Sequence, residues 1–277
     1  MEAVKYREPF LDEELINFTE DTLPCEDGMP METARHRLQM NVLIEPLELA
    51  WQDRQDFYVA GNMFVYFSPK QEFTHDFRGP DVFVVLGVPK RERKSWVVWQ
   101  EGKAPDVVIE LTSASTAKED TGKKKLIYQN QLRVPEYFLY DPFSAELAGF
   151  RIHGGLYRKM KPDKEGRLIS QKLHLTLTRW QGWYMDTEAL WLRWATLDGA
   201  ILPTAAEQAM KAQQQAMEAQ QQATAAQQQA EAAQQQAAAA QQQAQAAQQQ
   251  ATAAQGRVTE LETVLARYQQ QFGSLPQ

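Results

Sequence analysis

The sequence has almost no cysteine: Cys25 stands alone among 277 residues. One thiol cannot close an intramolecular disulfide, and no cysteine-based metal site can be built from it. In its place it reads as a small apolar residue near the N-terminus. Long apolar runs are also missing. Nothing approaches the ~18 to 20 consecutive apolar residues that span a bilayer, and the opening MEAVKYREPFLDEEL has no apolar signal core. These absences lead to the expectation of a soluble, cytoplasmic protein with no membrane contact. Histidine is sparse, at 36, 75, 153 and 174, and no pair has the helical spacing of a zinc site. Each is read as structural or exposed. No Gly-x-Gly-x-x-Gly or Walker pattern is present, so no residues are expected to bind an organic cofactor, and no Gly-x-Ser-x-Gly elbow supports a serine hydrolase.

Excess positive charge is lacking as well. The net charge is −7. After residue 200, Lys211, Arg257 and Arg267 face five glutamates, a net of −2, which leaves −5 on the first 200 residues. Such a balance argues against a protein that coats nucleic acid at large, because counterion release needs a dense basic surface. Local basic patches remain open, the clearest being PKRERK at 89–94.

What is present divides the chain near residue 200. All seven Trp and most large apolar residues precede that point. Beyond it, Gln-Gln-Gln recurs from 213, 220, 227, 234, 241 and 248, a strict period of seven. Alanines at alternating spacings of four and three fill a seam from Ala212 to Ala254, and Val258, Leu261, Leu265, Tyr268 and Phe272 continue its register. A sustained 3.5-residue repeat predicts a left-handed coiled coil, on the order of 100 Å long at 1.5 Å per residue. Alanine is the best helix former but a poor seam residue, since Leu-to-Ala changes in cores cost roughly 2–5 kcal/mol per site. Pairing is therefore expected to be locked by the Val258–Phe272 end. The two domains are a globular domain at 1–200 and a Gln/Ala heptad-repeat coiled coil at 201–277.

Within the first domain, Thr33 opens a predicted helix that stops or kinks at Pro46. DFYVAGNMFVYF (56–67) reads as a hairpin turning at Gly61-Asn62. GPDVFVVLGV (79–88), SWVVW (95–99), PDVVIEL (105–111) and PEYFLYDP (135–142) read as strands, with a helix from about Ser115 to Leu132 between the last two. Strand, helix and strand in succession imply a parallel crossover. Further strands with turn signals near Gly154-Gly155 and Lys164-Glu165-Gly166 lead to LHLTLTRW and a Trp- and Leu-rich segment. The class is α/β with an antiparallel extension.

Two of these strands begin Pro-Asp, at Asp81 and Asp106, and the second also carries Glu110. Paired carboxylates repel unless one is protonated or a cation intervenes. Mg²⁺ suits them, since it takes oxygen ligands and keeps several waters. A nearby lysine can orient or activate water and stabilise charge on a phosphate. The candidates are Lys123, Lys124 and Lys125; Lys124 precedes Ile127 and Tyr128 by three and four and shares their stripe. Plainer roles exist. Asp81 and Asp106 can simply make turn or cap hydrogen bonds, and Asp120 with Lys124 can form a helix-surface ion pair. Glu110 is different, because Val107, Val108, Ile109 and Leu111 around it argue for burial, and a buried carboxylate without a partner is costly.

These residues resemble a known family. Gly79-Pro80-Asp81, then Pro105-Asp106-Val-Val-Ile-Glu110-Leu-Thr112-Ser113-Ala-Ser115-Thr116, Asp120-x-x-x-Lys124-x-x-x-Tyr128 and Val134-Pro135-Glu136-Tyr137-Phe-Leu-Tyr-Asp141-Pro142 are similar to the Uma-two family of restriction endonucleases, a branch of the PD-(D/E)XK nuclease superfamily. The resemblance implies a restriction-endonuclease-like mixed sheet flanked by helices and metal-dependent phosphodiester hydrolysis in DNA. It implies Asp81 and Glu110 as ligands of Mg²⁺, with Mn²⁺ as a substitute, and Lys124 as the residue that assists water or the scissile phosphate. Asp106 and Tyr128 would line or support the site. The superfamily's usual lysine, two residues after the second acid, is here Thr112, and the matching lysine is taken from the following helix. Ser113 matches a family position without an assigned role. The expectation is a homo-oligomeric endonuclease, a dimer joined through its heptads and acting on DNA. The alternative is a catalytically idle DNA-binding or assembly protein on the same scaffold, favoured by Thr112 and the acidic charge.

Overall fold

The computed structural model describes residues 19–25, 33–68, 77–112 and 120–273. Two compact units divide at Gln208 and Ala209. The first is built on a six-stranded mixed sheet. Its strands are β1 (Phe57–Ala60), β4 (Val82–Leu86), β6 (Val107–Leu111), β7 (Glu136–Tyr140), β8 (Leu147–His153) and β9 (Leu156–Lys159), in that spatial order. Only β6 and β7 run parallel, with Val107 opposite Glu136 and Leu111 opposite Tyr140, as a crossover connection demands; the other pairs are antiparallel.

Strand alternation sends the side chains of β6 to two cores. Val107, Ile109 and Leu111 face helix α1 (Ala34–Ala50) and a second sheet of β10 (Leu168–Ser170), β11 (Leu175–Tyr184) and β12 (Thr187–Ala195), where Leu43, Leu47, Leu177, Leu192 and Trp194 are fully or almost fully buried. Val108 faces the other way, toward Phe83, Trp96, Ile127 and Tyr128. A third, small sheet joins β2 (Val65–Tyr66) to β3 (Phe77–Arg78) and to β5 (Trp96–Val97). Helix α2 (Val98–Glu101) follows β5, so the stretch 95–99 is half strand and half helix. After β6 come a π-helical turn at Asp120–Lys124 and helix α3 (Lys125–Asn130). The predicted start of that helix, at Ser115, lies outside the described residues.

Of the stop or kink expected before Pro46, the stop does not occur: helix α1 runs through to Ala50, because Pro46 and its neighbours Leu43 and Leu47 are buried against the sheet, and packing outweighs the lost N–H bond. Its start is as expected, with the Thr33 hydroxyl accepting from the His36 N–H at 3.1 Å. The 56–67 segment is not a hairpin: β1 pairs with β4, while β2 joins another sheet. The Gly61-Asn62 turn diverts the chain because the Asn62 N–H donates to the Pro80 and Asp81 carbonyls, at 3.1 and 3.3 Å. Asn62 takes the left-handed conformation, φ 49°. A Cβ on Gly61 would stand 2.4 Å from the Asp81 carbonyl oxygen.

The PKRERK loop is no free basic patch either. Arg91 and Arg93 pair with Glu101, Arg91 also with Glu20, Lys94 with Asp21, and Lys90 with Glu48. The Arg93 guanidinium lies over Tyr58 and Trp96, 4.6 and 4.8 Å from the ring centroids. Cys25 is exposed rather than tucked into a core.

Helix α4 (Ala205–Phe272) covers almost the whole heptad region. Its first turn carries a capping box: the Thr204 N–H donates to Glu207 Oε2 at 2.8 Å, and the Glu207 N–H to the Thr204 hydroxyl at 3.3 Å. The buried Arg193 clamps Glu207 with two bonds, at 2.8 and 2.7 Å. No described helix is long and apolar enough to cross a membrane.

Gly61→Ala is expected to destabilise the fold by about 1–3 kcal/mol, since backbone rather than a flexible side chain must yield. A shift of the urea-unfolding midpoint at unchanged slope would show it.

Candidate active site

The site forms where β4 and β6 meet. Their ladder runs from Val82 opposite Ile109 to Val84 opposite Val107, so Asp81 stands just before β4 and Glu110 just past the last pair. By alternation Glu110 belongs to the side of Val108 and Tyr128. Asp81 bonds to α1, the helix that packs on the face of Ile109 and Leu111.

Asp81 stands at the point where the ladder fails. The Pro80 carbonyl accepts from the Asn62 N–H. The Leu111 N–H donates to Asp81 Oδ2 at 2.6 Å. Asp81 Oδ1 lies 2.7 Å from His36 Nε2, in the first turn of α1. The carboxylate is thereby held from two sides, and it keeps 17% side-chain exposure. The reading of His36 as merely structural or exposed overlooked this contact. No local pattern marks it, because 45 residues separate the partners and only the packing of α1 unites them.

Glu110 is 1% exposed. Its Oε1 accepts from the Tyr128 hydroxyl at 2.7 Å, and its Oε2 lies 3.3 Å from Lys124 Nζ. Among the three lysines Lys124 is the one that reaches the acid. Lys123 is exposed, and Lys125 sits over the Phe150 ring, 3.5 Å from its centroid. Burial and the nearby Lys159 charge lower the Lys125 pKa. The Tyr128 pKa is pushed well above its usual value, first by burial, then by the Glu110 charge, with a smaller contribution from Asp81. Asp81, Glu110, Lys124 and Tyr128 therefore share one electrostatic neighbourhood.

The other candidates separate. Thr112 is buried beside the site, its N–H bonded to the Tyr140 carbonyl at 2.8 Å. Asp106 lies at the far end of β6, about 13 Å along the strand. There it accepts from the Leu86 N–H at 2.8 Å and pairs with Lys103 and, at 3.7 Å, Lys172. It ties strand ends together and does not share the cleft. Ser113 and the Asp120 side chain lie outside the described residues. Among the described residues no group of three or more His, Cys, Asp and Glu gathers as a metal cluster. The donors on offer are two carboxylates, hard oxygen ligands of the kind Mg²⁺ takes while keeping most of its waters.

A family model described as Uma2, "Putative restriction endonuclease", matches residues 27–182. The chain is also similar to a solved structure titled as a putative nuclease belonging to DUF820 from Anabaena variabilis ATCC 29413. Identity is 15%, coverage is 52% of this chain and 75% of that one, and the TM-score is 0.39. No curated protein matches.

Tyr128→Phe should cost about 1–3 kcal/mol at neutral pH, the penalty of taking a donor from a buried carboxylate. Because the folded-state pKa is raised, the hydroxyl's contribution is fully present below about pH 10 and declines above it, as the unfolded chain ionises and the folded one does not. The stability gap between parent and variant, read by denaturant titration from pH 7 to 11, should narrow above pH 10.

Proposed function

The chain belongs to the Uma2 family, and from that premise we propose that it is a Mg²⁺-dependent endonuclease hydrolysing phosphodiester bonds in DNA. The observation that carries the reading is Glu110, an almost wholly buried carboxylate on a central strand, touched by Lys124 and beside the strand that Asp81 precedes. Such an acid can serve structure alone, as Glu136 does between Arg151 and Ser170, but one beside a partly exposed lysine also suits metal-assisted phosphoryl chemistry.

In this reading Asp81 and Glu110 hold the ion, with Mn²⁺ as a substitute. When bound, Mg²⁺ polarises a phosphoryl oxygen and makes a water more acidic. His36 and the Leu111 N–H orient Asp81, and Tyr128 orients Glu110. The Lys124 ammonium, 22% exposed, stands where it can place the attacking water or take up charge on the scissile phosphate. Thr112 packs beneath this end of β6. Lys125, which opens α3, and Lys159 of β9 repel one another, and a backbone phosphate would relieve that repulsion. The heptads join chains into a homo-oligomer, and the setting is the cytoplasm.

A second reading rests on the same contacts. With Thr112 at the superfamily's lysine place and Asp81 engaged by His36 and Leu111, the scaffold would bind DNA or assemble without cutting.

Cleavage of plasmid and branched DNA with Mg²⁺ or Mn²⁺ decides between them. Asp81→Ala, Glu110→Ala and Lys124→Ala should each lose about a hundredfold or more in rate, while Lys103→Ala, beside Asp106, should cut like the parent. No cutting by the parent, or equal cutting by the three variants, would favour the idle scaffold. Binding to duplex DNA should weaken in Lys125→Ala and Lys159→Ala, each lowering the slope of log affinity against log salt by about one.

A further inference from the structure

The C-terminal part of α4 exposes apolar side chains that a solitary helix has no reason to keep: Val258 is 53%, Leu261 68%, Leu265 47% and Tyr268 47% exposed. They continue one seam, and its spacing labels them. Val258 and Leu265 take position a; Leu261 and Tyr268 take position d. The flanking e and g positions then follow. From Gln208 to Gln271 they are Gln throughout, apart from Arg257 and Val264 at g and Glu262 at e. Neither Arg257 nor Glu262 has an ion-pair partner in its own chain among the described residues.

From this charge pattern we propose that α4 pairs with the same helix of a second copy as a parallel, in-register, two-stranded coil. In that arrangement each g residue faces the e residue five positions on in the partner helix. Arg257 to Glu262 is such a step, so the one basic and one acidic flanking residue meet twice across a two-fold axis, a self-complementary contact. An antiparallel pair instead sets e against e and g against g. There Glu262 would meet only Gln, Ala or another Glu, and Arg257 only Gln, Val or another Arg. Two strands are favoured by β-branched Val258 at a beside Leu261 at d. In the same register the Gln triplets face one another across the alanine seam, Gln215 opposite the partner's Gln220, for example. The polar amides flank the seam without encoding a different partner.

Both chains enter such a coil from the same end. If the active-site reading holds, on which this consequence alone depends, two strand-cutting sites are tethered at one end of the dimer, the number needed to break a duplex.

The test uses the full chain with the exposed Cys25 replaced by Ser and a single cysteine restored on the seam, at Ala219 or at Leu261, both d positions. Mild oxidation should give disulfide-linked dimers from Ala219→Cys and from Leu261→Cys alike. Disulfides formed only between the two variants, mixed with distinguishable tags, would overturn the parallel orientation. Sedimentation should report a dimer; a monomer at tens of micromolar, a trimer or a tetramer would each overturn the proposal. Arg257→Glu or Glu262→Arg alone should weaken the dimer about tenfold, and the double exchange should restore it. A double exchange no tighter than either single one would overturn the pairing. None of these readouts involves DNA cleavage, so an inactive protein can still pass them and an active one can still fail.

Discussion

A negative charge with almost no access to water sets the terms for the rest of the molecule. Glu110 occupies an interior position of a strand whose every neighbour is buried. Removing a carboxylate from water without compensation costs several kcal/mol, so the surroundings must answer it. The phenol of Tyr128 and the ammonium of Lys124 do so, and both come from neighbouring turns of helix within the crossover. The parallel β6–β7 pairing requires that crossover, and the crossover brings the helix to the face on which Glu110 lies.

The same edge of the sheet shows why Asp81 is aimed so closely. Pro80 gives its carbonyl to the Asn62 turn, and just past the last β4–β6 pair the Asp81 side chain accepts from the Leu111 N–H. His36 takes the other oxygen. A carboxylate held this way loses little freedom if it then meets a cation, which is what preorganisation means for a binding site. The acids not in the site are spent on structure. Asp106 bridges strand ends, and Glu136 is buried between Arg151, Ser170 and the Gln171 N–H.

Much of this was legible along the chain. Alternation and the Pro-Asp starts locate β4 and β6, the apolar flanks of Glu110 announce its burial, and the i+3 and i+4 positions of Ile127 and Tyr128 point to Lys124 while leaving Lys123 and Lys125 open. These are local regularities, fixed by the geometry of a strand or of one helical turn. The errors arose where distant partners decide. Nothing in DFYVAGNMFVYF says that β1 would rather pair with β4 than with β2. Equally, the charges of PKRERK read as a basic patch until Glu20, Glu48 and Glu101 arrive from other parts of the fold.

The heptad tail shows how far a sequence reaches unaided: its seam, length and flanking charges follow from periodicity, because a helix repeats the same geometry at every turn. Asp81 and Asp106 show the opposite. Both follow a proline, both open a strand, and their neighbours differ little. One bonds to Leu111 and His36 near the end of β6 that carries Glu110, and the other stands at the far end of that strand, tied to Lys103 and Lys172. Which strand lies beside which, and in what register, is settled by the burial of whole faces, and that free energy belongs to the assembled sheet rather than to any segment of it.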